Sequence, residues 1–168
     1  QLGCRLPQHI VVASAGGTIL PKLAKSFKEL VKVGLVEDTG YKIYSAQASG
    51  CAPIINALQQ GTDLISPVKP NTIASSIAIG NPADGYVLQA VRESGGWGES
   101  VTDKEILEGI HLLAQTEGIF TEPAGGTTLA CAIKLIESGR IPRDESICVC
   151  ITGNGLKDVK GAMRAVTP

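Results

Sequence analysis

Small residues and glycines cluster at three points where this chain could do chemistry. The first, Ser14-Ala15-Gly16-Gly17-Thr18, follows an apolar run and precedes helical spacing. Small side chains let backbone N–H groups approach an anion, and a helix start adds unpaired donors and the positive end of the dipole. The segment reads either as a phosphate cradle or as a compact strand-to-helix turn that holds nothing. The second, Thr152-Gly153-Asn154-Gly155-Leu156-Lys157-Asp158, leaves another apolar run. Its threonine can offer a hydroxyl to a flat ligand at the sheet edge, or the segment is a hydrogen-bonded turn. The third, Glu122-Pro123-Ala124-Gly125-Gly126-Thr127, sets a carboxylate before a glycine-rich helix start. The plainer reading there is a carboxylate that favours the first helical turn.

Other chemistries lack their residues. There is no G-x-G-x-x-G and no G-x-x-x-x-G-K-[ST], so neither a dinucleotide fingerprint nor a Walker loop is supported. H-x-x-H, C-x-x-C and H-E-x-x-H are absent, and the two histidines, His9 and His111, are far apart, so no metal site is expected. No G-x-S-x-G elbow supports a serine hydrolase. Lys22, Lys25, Lys28 and Lys32 fall between the apolar positions of one helix and read as a solvated face.

Strands and helices alternate around these segments. His9–Ala13, Tyr41–Ala46, Gly118–Glu122 and Ile147–Thr152 read as strands, and Asp63–Val68 as a short extended piece. Ile19, Leu23, Phe27, Leu30 and Val31 recur at helical spacing, with Pro21 in the first turn and Gly34 at the end. Pro53–Gln60, Gly85–Glu93 and Gly125–Ser138 are further helices. Thr102-x-x-Glu105 is a capping box opening another, with Ile106, Leu107, Ile110, Leu113 and Ala114 as its stripe. Ile147–Thr152 is apolar throughout, as for a strand covered on both faces. The fold class is therefore α/β: three layers, a mostly parallel sheet with helices on both faces. The expected core comprises Val11, Val12, Leu23, Phe27, Ile43, Ile106, Ile110, Ile133, Ile147, Val149 and Ile151.

Length and composition set the outer limits. The 168 residues, 43% hydrophobic and 18% charged, make one domain and exclude a charge-rich disordered chain. A net charge of −1 leaves no basic excess for a nucleic-acid partner. No run of about 18 apolar residues predicts a membrane span, and no signal peptide is expected. The 5 cysteines (Cys4, Cys51, Cys131, Cys148 and Cys150) form no paired framework and read as buried free thiols. That points to a reducing, cytoplasmic setting. The chain opens on Gln1, with an apolar strand within ten residues, and reads as part of something longer.

Three stretches resemble threonine synthases. Val68-Lys69-Pro70-Asn71-Thr72-Ile73-Ala74 through Ile77-Ala78-Ile79-Gly80-Asn81-Pro82 is similar to the family's K-P-x-T-I-A…I-x-I-G-N-P. Glu117-Gly118-Ile119-Phe120-Thr121-Glu122-Pro123-Ala124 is similar to a second family segment. Ile151-Thr152-Gly153-Asn154-Gly155-Leu156-Lys157-Asp158 resembles its L-T-G-x-G-L-K-D. The three come in the family's order and at about its spacing, and the likeness covers nearly the whole chain.

The resemblance implies part of the large domain of a fold-type-II pyridoxal 5'-phosphate enzyme, converting O-phosphohomoserine and water to threonine and phosphate. It places the cofactor phosphate at Ala15, Gly16, Gly17, Thr18 and Ile19, and sets Thr152 against the pyridine nitrogen. Asn81 and Glu122 fall in segments close to the cofactor. It also implies a Schiff-base lysine and a substrate-carboxylate segment upstream of residue 14, in an amino-terminal portion this chain lacks, so the chain alone is expected to be inactive. Family members are commonly homodimers. Related fold-type-II lyases, such as a threonine dehydratase, a cysteate synthase or a diaminopropionate ammonia-lyase, are the nearest alternatives; the Lys69–Pro82 segment favours threonine synthase. A non-catalytic phosphate-binding α/β module is the alternative from another class.

Overall fold

The computed structural model describes residues 3, 5–82 and 85–165. Four parallel strands form one sheet: β1 (His9–Ala13), β2 (Lys42–Ala48), β3 (Gly98–Val101) and β4 (Ile147–Cys150), in the order β3-β2-β1-β4. β1 pairs with β2 from His9↔Lys42 to Ala13↔Ala46, and with β4 from His9↔Ile147 to Val12↔Cys150. All five residues of β1 are buried, as the HIVVA run requires of an inner parallel strand.

Alternation along the strands divides the core in two. Ile10, Val12 and Ile43 face one side, under α1 (Ile19–Lys32), α2 (Pro53–Gln60) and α3 (Tyr86–Glu93). Val11, Ala13, Tyr44 and Ala46 face the other, under α4 (Asp103–Glu117) and α5 (Pro123–Glu137). The chain is thus a three-layer α/β fold. A short α6 (Val159–Met163) follows the loop after β4. The capping box forms: the Thr102 amide donates to Glu105 Oε2 at 2.6 Å, and the Glu105 amide to Thr102 Oγ1 at 3.3 Å.

Several expectations are corrected. β4 is half-buried at all four positions, not covered, because it is the edge of this sheet, so Ile147 and Val149 are only partly enclosed. Ile151 and Ile133 are half-buried too. On α1 the deep positions are Leu20 and Ala24; Leu23 and Phe27 are half-buried, and Ile19 is 49% exposed at the helix start. Residues 118–122 are not a strand. Gly118 caps α4 in the left-handed region and Pro123 begins α5, which leaves room for one bridge, Thr121 to Asn154. β3, which the sequence did not mark, forms from four residues with no apolar run.

At the sheet end away from the loops after β1 and β4, His9 is fully buried, with Nδ1 2.9 Å from the Tyr44 hydroxyl and Nε2 against the Glu145 carboxylate. Cys51 and Cys131 are buried free thiols, and Cys148 and Cys150 are free and half-buried; Cys4 lies outside the described residues. His111 is exposed on α4. Among the described residues no helix is long and apolar enough to cross a membrane, and no group of three or more His, Cys, Asp or Glu could hold a metal ion.

Candidate functional site

The carboxyl ends of β1 and β4 lie side by side, and two loops leave the sheet there. The loop after β1 is fixed at its root. Every polar atom of Ser14 is held by β2: its amide donates to Ala46 O at 2.8 Å, its Oγ accepts from Ser45 Oγ at 2.9 Å, and its carbonyl accepts from Gln47 Nε2 at 3.1 Å. Beyond Ser14 the amides of residues 15–18 donate to no acceptor among the described residues. Gly17 takes φ +87°, a left-handed value that favours glycine, and its Cα abuts Val87 of α3. Four amides with no acceptor among the described residues therefore lie at the start of a 14-residue helix, where backbone donors and the helix dipole can take an anion.

The opposite wall comes from two loops zipped together. The Glu122 amide donates to Gly153 O at 3.1 Å, Thr121 Oγ1 to Gly153 O at 2.8 Å, and the Gly155 amide to Phe120 O at 3.0 Å. Beside these bonds Thr152 is exposed, whereas Glu122 is 3% exposed with its carboxylate against Gly153. No hydrogen-bond donor among the described residues reaches that carboxylate.

Between the walls lies a cleft of about 290 Å3. It is lined by residues 13–20, by Glu122 and Ala124, by Thr152 and Lys157, and by Ser76 and Ile77. Ala15, Gly16, Gly17, Thr18, Ile19, Glu122 and Thr152, expected near one ligand, all border this one space. Asn81 does not; it is exposed in the turn that closes the 69–82 segment. That segment instead contributes Ser76 and Ile77. It is pinned by Asp103, which accepts from Thr72 Oγ1 at 2.5 Å and from the Ile73 amide at 3.1 Å, and by Asp158, which accepts from Ser75 Oγ at 3.3 Å. The lysine face of α1 borders a separate groove of about 640 Å3 against α3, where Lys28 pairs with Glu93 at 3.0 Å and Lys25 with Glu29 at 3.6 Å.

Gln47, unmarked by any motif, holds the site together from β2. It is fully buried, and its Oε1 accepts the Ile54 and Ile55 amides at 3.0 and 3.2 Å while its Nε2 holds Ser14. A glutamine among the small residues of β2 was the only signal, and a weak one, because its partners are remote in sequence.

A parallel sheet under two helical layers, with glycine-rich loops meeting at its carboxyl end, is the large-domain architecture of fold-type-II pyridoxal-phosphate enzymes. The chain belongs to the pyridoxal-phosphate dependent enzyme family, which it matches over residues 1–153. It is 41% identical over 167 residues to a threonine synthase of Methanocaldococcus jannaschii, covering 98% of this chain and 41% of that protein. It is 40% identical over 160 residues to a threonine synthase of Methanosarcina acetivorans, covering 94% of this chain and 39% of that protein. The chain thus spans about two fifths of these relatives' length. In fold it superposes on an L-serine ammonia-lyase from Rhizomucor miehei with a TM-score of 0.74, at 17% identity, over 94% of this chain and 50% of that one. Maize serine racemase gives 0.71, at 19% identity, over 96% and 49%.

Proposed function

We propose that this chain forms the cofactor-phosphate side of a threonine-synthase-like enzyme that converts O-phosphohomoserine and water to threonine and phosphate. The carrying observation is the single cleft that joins the free amides of residues 15–18 to Thr152 and Glu122. The residues present fit pyridoxal phosphate. The amides and the α1 start would take its phosphate, and Thr152 would offer a neutral hydroxyl to the ring nitrogen. When bound, the cofactor supplies the electron sink for a substrate carbanion. Glu122 brings a buried carboxyl group to the same space, and Ser76 and Ile77 line it as well. The 35–42% identity to threonine synthases supports this reaction over those of the more distant lyases.

On this reading the lysine that attaches the cofactor is supplied from outside this chain. Lys157, on the loop after β4, also borders the cleft, and on this reading it is not that group. Incubating the chain with pyridoxal phosphate, reducing with borohydride and mapping lysines should give scattered, substoichiometric labelling and no phosphate release from O-phosphohomoserine. Stoichiometric labelling of Lys157 with turnover would overturn this assignment.

In the complete enzyme, O-phosphohomoserine should yield equal amounts of threonine and phosphate. Thr152→Ala should lower that turnover roughly 10- to 100-fold, matching the ~1–3 kcal/mol of an unpaired polar group, with a smaller loss of cofactor affinity. Conversion of threonine to a keto acid, with no phosphate released from O-phosphohomoserine, would replace this reading with a dehydratase.

A further inference from the structure

We infer that Gln47 is a positioning residue for the anion loop: its side-chain amide sets the Ser14 carbonyl, and through it the aim of the amides of residues 15–18. This rests on the reading of that loop as the cofactor-phosphate site and assigns it a support that touches no ligand.

Gln47 lies on β2, not on the loop, and is fully buried. Its carboxamide is used at both ends. The oxygen accepts the amides of Ile54 and Ile55, two of the unpaired donors at the start of α2. The nitrogen donates to the Ser14 carbonyl at 3.1 Å. Only a side chain that accepts at one atom and donates at the other satisfies both partners. The Ser14 amide and hydroxyl are already held by Ala46 and Ser45, so the Gln47 bond removes the last freedom of the peptide that leads into residue 15. The next amides have no acceptor among the described residues, so their direction is inherited from that peptide. An anion site built on backbone donors depends on such direction, because no side chain on Ala15, Gly16 or Gly17 can correct it.

Gln47→Glu separates this role from simple packing. It keeps shape and an acceptor for α2, but as a carboxylate it faces the Ser14 carbonyl oxygen with no proton. When protonated it can donate again. In the complete enzyme, apoprotein reconstitution with pyridoxal phosphate and with pyridoxal is compared between pH 6 and pH 8.5, always as the ratio of variant to unsubstituted protein. The expected result at pH 8.5 is a tenfold or greater loss of pyridoxal phosphate affinity, with pyridoxal affinity unchanged. The loss should shrink as pH falls. Equal losses for both ligands, or a ratio independent of pH, overturns the inference. If the unsubstituted protein shows no preference for the phosphorylated ligand, the loop reading itself falls, which is a different failure.

A measurement without substitution guards against a variant that does not fold. On titration of the unsubstituted protein with inorganic phosphate, the Gln47 side-chain amide resonance should move together with the amides of residues 15–18. A fixed Gln47 signal while those amides shift would likewise remove its role.

Discussion

The carboxylate of Glu122 lies so close to the Cα of Gly153 that a methyl group at residue 153 would stand 1.9 Å from Oε1 and 2.3 Å from Cδ. The glycine is what lets a buried acid face the cleft beside Thr152. Gly153→Ala should therefore push the acid aside and disturb the cleft more than the fold, since the obstruction is the far end of a flexible side chain. We expect a stability change within about 1 kcal/mol and a clear loss of pyridoxal phosphate affinity. Thermal melts beside a cofactor fluorescence titration check this. Unaltered cofactor affinity would mean that Glu122 does not shape the ligand's space.

Gly17 is constrained twice. Its φ of +87° is costly for any L side chain, and a Cβ there would sit 2.8 Å from Val87 Cβ, a stiff β-branched side chain on α3. Gly17→Ala should cost about 1–3 kcal/mol and weaken phosphate binding. Adding Val87→Ala should recover the part due to contact and leave the part due to backbone strain. Denaturant midpoints for the two single variants and the pair make the test, and strict additivity would show that the two residues do not press on each other.

The long periodic elements were legible in the sequence because their signals are local. The apolar spacing and capping box of α4 and the β-branched run of β1 each announce their own structure. β3 did not, because Gly98-Glu99-Ser100-Val101 becomes a strand only by pairing with residues 45–48 and by seating Gly98 under Ile55. Residues 118–122 carried strand-forming types but lie between a left-handed cap and a helix-opening proline. Residue types left the two glycine loops open between a ligand site and a plain turn, and it was the resemblance to threonine synthases that singled out residues 15–19 and Thr152. Gln47 was not legible, because it works through Ser14, 33 residues earlier, and through amides 7 and 8 residues on, which no periodicity relates.

Asp103 ties the start of α4 to the segment that lends Ser76 and Ile77 to the cleft. It holds Thr72 and Ile73, and the following residues Ser76 and Ile77 border the cleft. Asp103→Ala should speed amide hydrogen exchange across residues 72–77 and raise KM more than it lowers kcat. Thr102→Ala, one residue earlier, should cost about 1 kcal/mol of stability through the lost cap but leave that exchange unchanged. The same exchange pattern in both variants would show that residues 72–77 depend on the helix end as a whole rather than on the Asp103 carboxylate.

Stability should fall on the alkaline side, and the buried Tyr44 and Cys131 are two of the groups that contribute. Burial, reinforced by the Glu145 carboxylate, pushes the Tyr44 hydroxyl up to about 12, from an unfolded value of about 10. Burial likewise pushes the Cys131 thiol up to about 12, from about 9. In both cases the fold prefers the neutral form, so the folded protein holds a proton that the unfolded chain releases first. The stabilisation is fully present below about pH 9, where both states are protonated, and is lost as pH rises toward 12. Urea midpoints should be flat near pH 8 and decline steeply from about pH 9.5 upward. Tyr44→Phe keeps the ring, removes one ionising group and gives up the bonds to His9 and the Arg140 carbonyl. It should lower the plateau by about 1 kcal/mol yet flatten the decline, and Cys131→Ala should flatten it further. A double variant with the parent's alkaline slope would show that Tyr44 and Cys131 do not contribute, leaving thiols such as Cys150, which burial also pushes up to about 12, to account for it.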